Sequence, residues 1–447
     1  MAKYQKYAEY QDSGIEWLCE IPSHWFLKKH KYIAEFSKGK NPELLFDNYS
    51  DGLYPYLSMD SLRGKADSKY AEYKKGLVLV QDNQPLIIWD GSNSGEFVLG
   101  RKGLLSSTMA SACLIYEIQD KYYWYLCVCI EPEMRKHATG MGIPHVNGEE
   151  LRGIVLPLPE LNEQTQIANF LDHETSKIDR LIEKQQQLIE LLKEKRQAVI
   201  SHAVTKGLDP NVPMKDSGVE WLGEVPEHWG IWKFAHIAPI ITCGVASTPT
   251  YVEEDVGMPF LSAQNIKNNK LSLHKFNYIP HSLHEQLTKY RKPELGDILV
   301  TRVGAGIGEA CIVDIDLEFS IYVSLTHIRV NSNIANNKFV MYFFGTDYCK
   351  FLNYEGTVTG GGVGNLNVNN VVKYKIALPS LQEQQKIVEY IEHYVTKQDE
   401  LILKAESAIS LMQERRTALI SAAVTGKIDV RHWQAPTVAE AHTELSA

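Results

Sequence analysis

Positive charge is what this sequence most conspicuously lacks: 46 Lys and Arg stand against 55 Asp and Glu, a formal charge of -9 over 447 residues. That excludes a protein that coats nucleic acid by bulk charge. Long apolar runs are missing too. Leu77 to Val80 and Tyr122 to Ile130 fall far short of the ~20 residues a membrane helix needs, and Met1 to Tyr10 is polar. The expectation is a cytoplasmic protein with no membrane partner. Cysteine is sparse, with seven residues (Cys19, Cys113, Cys127, Cys129, Cys243, Cys311, Cys349), no CxxC pair and no His cluster at zinc spacing. Reduced thiols and no metal site are expected. Hydrophobic residues at 44% and charged residues at 23% are ordinary globular usage, and the length corresponds to about three domains.

Catalytic motifs are also scarce. There is no Walker loop, no Asn- or Asp-Pro-Pro-aromatic loop of an N-methyltransferase, and no Pro-Asp with a following Glu-x-Lys of a nuclease. Gly304-Ala305-Gly306-Ile307-Gly308-Glu309 has its third Gly displaced from a dinucleotide loop and reads as a hairpin turn. His173-Glu174 and His284-Glu285 lack the second His of a zinc protease. Asp297, after Gly296, has no paired carboxylate and suits a turn. The chain reads as non-catalytic.

What it does contain is a repeat. Asp12-Ser13-Gly14-Ile15-Glu16-Trp17-Leu18-Cys19-Glu20-Ile21-Pro22-Ser23-His24-Trp25 returns as Asp216 to Trp229 with ten of fourteen positions identical. Leu158-Pro159-Glu160-Leu161-Asn162-Glu163-Gln164 returns as Leu378-Pro379-Ser380-Leu381-Gln382-Glu383-Gln384, and Arg196 to Thr205 is echoed 220 positions later by Arg416 to Thr425. The chain is two copies of one unit.

Neither Gly nor Pro interrupts the stretch between Pro159 and Gly207, or that between Pro379 and Gly426, so each copy should end in one long helix. Alternating steps of four and three from Ile167 through Leu171, Ile178, Leu181, Leu188 and Leu192 give seven apolar positions of ten, and the same path from Ile387 gives eight. A 3.5-residue period over some 40 residues points to a coiled-coil spacer. The intervening regions, about 26–157 and 230–377, share a layout: an aromatic-rich stretch (Tyr54 to Ser58; Met258 to Ser262), short strands such as Gly153 to Leu156 and Ile298 to Thr301, and a closing Gly-rich loop at 139–147 and 359–367.

These boxes resemble the DNA specificity subunit of type I restriction-modification systems. The segment from Tyr10 to Trp25 and its copy resemble those that open each target recognition domain, Phe260 to Ile266 an early strand-turn element, Gly296-Asp297-Ile298-Leu299-Val300 the family's Gly-Asp strand, and Leu158 to Gln164 the start of its conserved helix. The first domain departs from the pattern: it has Tyr73-Lys74-Lys75-Gly76-Leu77-Val78-Leu79-Val80 and then Asn83-Gln84-Pro85-Leu86-Ile87-Ile88-Trp89-Asp90-Gly91, with no Gly-Asp pair before the strand, so the strand assignment is left open between the two stretches. The resemblance implies an α+β chain: two α/β target recognition domains in tandem repeat, separated by two long antiparallel helices forming the spacer. The expected divisions are a first recognition domain at 1–157, a first helix at 158–207, a second domain at 208–377, a second helix at 378–430 and a tail at 431–447. It further implies that each domain reads half of a bipartite, asymmetric site in double-stranded DNA, and that two methyltransferase subunits dock on the helices. Restriction-motor subunits join them, with S-adenosylmethionine, ATP and Mg held by those partners and no cofactor on this chain.

Base reading calls for Arg or Lys opposite guanine and Asn or Gln opposite adenine, on loops. The candidates are Ser58, Asp60, Arg63, Asn93, His145 and Asn147 in the first domain, and Gln264, Asn265, Lys267, Arg302, Asn365 and Asn367 in the second. The Gly-rich loops should admit close backbone approach to the DNA. Charge does not forbid this, because residues 26–157 carry 16 basic against 16 acidic side chains and 230–377 carry 13 against 12. The acid excess lies in the boxes, helices and tail, so the isolated chain should bind DNA weakly and draw on basic partners. Two other readings compete: a coiled-coil scaffold binding protein or carbohydrate, and an enzyme with an unrecognised site.

Overall fold

In the computed structural model, residues 4–136, 144–304, 306–360 and 363–435 are described. The Gly-rich loops reach into 139–143 and 361–362, which lie outside them. The chain forms two units, one of Met1–Gln185 with Ser407–Ala447 and one of Gln186–Glu406.

Each unit is built on the same frame. In the first, the opening box folds as a small hairpin (Tyr10–Asp12 with Glu20–Pro22), and the strand after it, Phe26–Lys29, pairs antiparallel with the exit strand Val155–Leu158. Between them lie two four-stranded sheets. One runs Ala34–Lys38, Met109–Leu114, Pro85–Ile88, Phe97–Leu99; the other runs Lys69–Glu72, Leu53–Leu57, Gly103–Leu105, Leu79–Val80. The second unit repeats the plan with hairpin Met214–Asp216/Glu224–Pro226, strand Gly230–Lys233 on Lys375–Leu378, and sheet Ile240–Cys243, Leu325–Arg329, Ile298–Thr301, Ala310–Ile312. In place of the single helix Asp120–Lys136 it carries two, Asn337–Phe344 and Asp347–Glu355.

Strand register resolves the missing Gly-Asp pair. Leu325 lies opposite Thr301 and Met109 opposite Ile88, so Pro85–Ile88 is the counterpart of Ile298–Thr301. Asn83 then occupies the place of Gly296, and both have positive φ (61° and 89°). Asn is among the few side-chain residues that tolerate the left-handed region. Gln84 replaces Asp297, Ser111 replaces His327 and Cys113 replaces Arg329. The second unit thus holds a hydrogen-bonded trio, Asp297, His327 and Arg329. Asp297 accepts from His327 Nε2 at 2.7 Å and from Arg329 Nε and Nη2 at 2.8 Å each. Burial acts to raise its pKa, and the bonds from Arg329 and His327 outweigh it, holding the carboxyl at about 2. Asp297 is therefore a buried anchor rather than a mere turn residue. In the first unit Gln84 donates instead to the Ala112 carbonyl at 3.0 Å.

The repeated sequence boxes meet in space. Glu163, at the start of the long helix Leu161–Lys206, accepts from Trp25 Nε1 (3.1 Å), His24 Nε2 (2.9 Å) and Tyr7 Oη (2.7 Å). Glu383, at the start of Leu381–Val424, accepts from Trp229 Nε1 (3.1 Å) and His228 Nε2 (2.9 Å). The neighbouring glutamines staple helix to domain: Gln164 donates to the Pro159 carbonyl and accepts from Gln119 N, while Gln384 donates to Pro379 and accepts from Asn336 N. Gly207 and Gly426, in the left-handed conformation that commonly ends helices, follow the two helix ends at φ 78° and 73°. A Cβ on Gly426 would sit 2.2 Å from Pro22 Cδ, so only glycine lets the first box close over that end.

Both long helices form as the sequence predicts. In the second, Ile391, Gln398, Ala405 and Leu419 are buried at heptad positions of the expected path; in the first, Leu171 and Ile178 are buried on that path, while further along Leu181 and Leu188 are 48% and 43% exposed and Ile189 and Ile200 are buried instead. Within each unit an ion pair ties the helix halves, Asp179–Arg416 (2.9 Å) in the first and Asp399–Arg196 (2.6 Å) in the second, with residues 220 positions from their counterparts.

Candidate nucleic-acid interface

In the second unit the sequence candidates converge on one set of loops. Ser262 and Asn265 cap a short turn reciprocally, Asn265 accepting from Ser262 N at 3.0 Å and donating to the Ser272 and Lys275 carbonyls at 2.9 Å. Asn265 is 1% exposed, and its amide holds the loop rather than facing solvent. The chain then enters a tight hairpin, Ile266–Lys267 against Lys270–Leu271. Beside it lies the 302–309 turn, which joins Ile298–Thr301 to Ala310–Ile312 as the hairpin expected from the sequence. Asn269 bridges the two, donating from its side chain to the Ala310 carbonyl (3.0 Å) and from its backbone N to Glu309 Oε1 (3.4 Å).

Arg302 is also structural. It is 8% exposed, with Nε on the Leu366 carbonyl and Nη2 on Asn365 Oδ1, both at 2.9 Å, so it clamps the Gly-rich loop from inside. Asn365 itself is exposed. Asn367 caps the following short helix, accepting from Asn369 N at 2.9 Å. Gln264 and Lys267 are exposed.

The first unit gathers its candidates the same way. Ser58 and Ser61 form the reciprocal cap, followed by exposed Asp60 and Arg63. Arg63 Nη2 meets both oxygens of Glu96 at 2.7 Å, at the end of the 91–96 turn that carries Asn93. On the other side of that turn His145 Nδ1 contacts Asp90 Oδ1 at 2.6 Å, and Lys38 Nζ reaches Asp90 Oδ2 at 2.9 Å. Partial burial acts to raise the Asp90 pKa, but Lys38 and His145 together lower it, so the carboxylate stays ionised. Asn147 caps the helix Gly148–Gly153 through Glu149 N and Glu150 N. Val146 N to the Trp89 carbonyl and Leu366 N to the Arg302 carbonyl are the same bond in the two units.

Each unit therefore presents three adjacent loops on equivalent parts of one frame, with unrelated side chains on them. Among the described residues no three His, Cys, Asp or Glu side chains come together as metal ligands would. Sequence reasoning missed Asn268, Asn269 and Lys270, although two consecutive Asn between lysines is a hairpin signal. It also missed Glu96 and Asp90, whose roles depend on long-range contact.

Known proteins share this frame. The profile of the family described as "Type I restriction modification DNA specificity domain" matches residues 22–191 and 226–410. The chain belongs to this family. The two matches coincide with the two copies, so both are specificity domains, and the protein is a DNA-recognition component rather than a catalyst. It is 28% identical over 419 residues to the type I restriction enzyme MjaVIII specificity subunit of Methanocaldococcus jannaschii, covering 92% of this chain and 95% of that one. It is 22% identical over 438 residues to the EcoBI specificity subunit of Escherichia coli, covering 95% and 90%. A solved chain from work on assembly and conformational transition of the type I R-M system shares the fold at TM-score 0.64 and 14% identity, covering 90% of this chain and 98% of that one. No helix among the described residues is long and apolar enough to cross a membrane.

Proposed function

We propose that this specificity subunit reads a bipartite, asymmetric duplex site, one half with each unit, through the loop clusters at 58–63, 90–96 and 144–147 and at 262–270, 302–309 and 364–367. The recognition domains are taken as 1–157 and 208–377. What carries the reading is one frame used twice with divergent loop chemistry: the capping and stapling residues recur, while the exposed ones do not. Two copies with identical loops would suit a symmetric site.

The helices at 158–207 and 378–430 act as the spacer that sets the gap between half-sites, and they dock two methyltransferase subunits. Exposed Leu181 and Leu411 in the first unit, and Leu188, Leu191, Leu401 and Leu403 in the second, supply apolar area for that docking. S-adenosylmethionine belongs to those partners, and ATP and Mg to the restriction-motor subunits, all in the cytoplasm. The near-neutral reading domains leave most phosphate attraction to the partners. The test is a gel shift with and without the methyltransferase subunit, followed by sequencing of modified bases. Retention of a bipartite duplex only in the mixture, with modification at two unlike half-sites, is expected. Modification at a palindrome would refute the two-reader arrangement.

A further inference from the structure

Of the 13 Lys and Arg in residues 230–377, five are paired with carboxylates or buried: Lys292 pairs with Glu318, Arg329 with Asp297 and Glu294, Lys338 with Glu392, Lys350 with Asp347, and Arg302 is buried. The segment 264–275 carries Lys267, Lys270, His274 and Lys275 and no Asp or Glu. Gln264, Lys267, Asn268 and Lys270 are exposed and have no side-chain partner among the described residues.

The backbone at this tip is specific. Lys267 pairs with Lys270 across a two-residue loop, and Asn268 and Asn269 both have positive φ, 53° and 60°, which makes a type I′ turn. Glycine is the least strained choice at such positions. Asn269 has an evident reason to be Asn, since its amide docks the tip on the Ala310 carbonyl. Asn268 has none among the described residues. It is a free carboxamide at the apex, flanked by two free ammonium groups, on a two-stranded ribbon of the kind the DNA major groove admits. Glu309, the neighbouring carboxylate among the described residues, is already engaged by Asn269 N.

Resting on the half-site reading above, we propose that the Lys267–Lys270 hairpin is the base-reading ribbon of the second unit. Asn268 makes the bidentate carboxamide contact to adenine N6 and N7 in the major groove, and Lys267 and Lys270 contact the flanking phosphates.

The experiment uses the full chain assembled with its methyltransferase partner, on a randomised duplex library with modified-base sequencing. Asn268→Gly keeps the turn and removes only the amide, so thermal unfolding should not fall. It should relax discrimination at one A·T position of one half-site by roughly 5- to 150-fold and leave the other half-site untouched. Lys267→Gln with Lys270→Gln should weaken binding to all sequences alike and reduce the slope of log affinity against log salt by about 2. An N268G complex that modifies the same sequence with unchanged preference overturns the hairpin assignment while leaving the half-site reading intact. A wild-type complex with no sequence preference sinks that reading and this inference together.

Discussion

Glu163 joins the opening box of the first unit to its long helix, and its replacement by Ala should be among the most damaging single changes in the chain. The carboxylate is 8% exposed and accepts from three donors, on Tyr7, Trp25 and His24. Removing it strands the Tyr7 hydroxyl and Trp25 indole in a buried site, at about 1–3 kcal/mol each, giving roughly 3–5 kcal/mol in all. Glu383, with two donors and a side chain 32% exposed, should cost only about half as much when replaced. With a urea m-value of roughly 2.5 kcal/mol/M, Glu163→Ala lowers the midpoint of the first unit by roughly 1.2–2 M. Because the protein has two units, a single spectroscopic transition is not an adequate readout. Hydrogen exchange in peptides from 4–185 and 186–406 across a urea series separates them. A Glu163→Ala shift smaller than that of Glu383→Ala, or one shared equally by both units, would refute the argument.

The other consequences can be read in the same way. Asp297→Asn leaves Arg329 and His327 short of a buried partner and should destabilise the second unit by ~3–5 kcal/mol, whereas exchanging the whole trio for its first-unit counterparts (D297Q/H327S/R329C) should cost clearly less by chemical denaturation. Glu131, whose burial pushes its pKa up to about 7, holds its proton more tightly folded than unfolded; stability it contributes at pH 4.5 is lost as pH rises to about 7. Buried His30, pushed down to about 4, acts in the opposite sense between pH 6.5 and 4, so the readout is the melting difference between wild type and Glu131→Gln, which should favour the variant at pH 8 and vanish near pH 4.5. Leu191→Glu with Leu411→Glu should leave unfolding nearly unchanged, since both are more than 60% exposed, yet reduce co-purification of the methyltransferase subunit at least tenfold.

Helix limits were legible because Pro159, Gly207, Pro379 and Gly426 mark them chemically. The boxes were legible as repeats, but not as partners: Trp25 and Trp229 are 204 positions apart while Glu163 and Glu383 are 220 apart, and only the fold shows that the two repeats touch. Midway along the first helix Leu181 and Ile182 are equally apolar, and only the fold shows that Ile182 is the one packed against the core. Among the reading candidates, composition could not separate an Asn that faces solvent from one that caps. Asn147 before Gly148-Glu149-Glu150 did carry a capping signal, whereas the burial of Asn265 and Arg302 depends on strands far away in sequence.

That distinction decides between the two arginines. Arg302, 8% exposed, spends Nε, Nη1 and Nη2 on the Leu366 carbonyl, the Val323 carbonyl and Asn365. Arg63 spends only Nη2, on Glu96, and its Nε and Nη1 have no partner among the described residues. An exposed pair of this kind contributes about 0–1 kcal/mol to stability, so Arg63 can leave Glu96 at little cost and turn the fork of its guanidinium to guanine O6 and N7. Arg302→Gln should therefore destabilise the second unit by about 2–4 kcal/mol and reduce modification without changing its sequence. Arg63→Gln should leave unfolding within ~0.5 kcal/mol and relax one G·C position in the half-site that Asn268→Gly does not touch. Modified-base sequencing beside chemical denaturation checks both. If Arg63→Gln unfolds the first unit, or changes the same half-site as Asn268→Gly, the assignment of one reader to each unit fails.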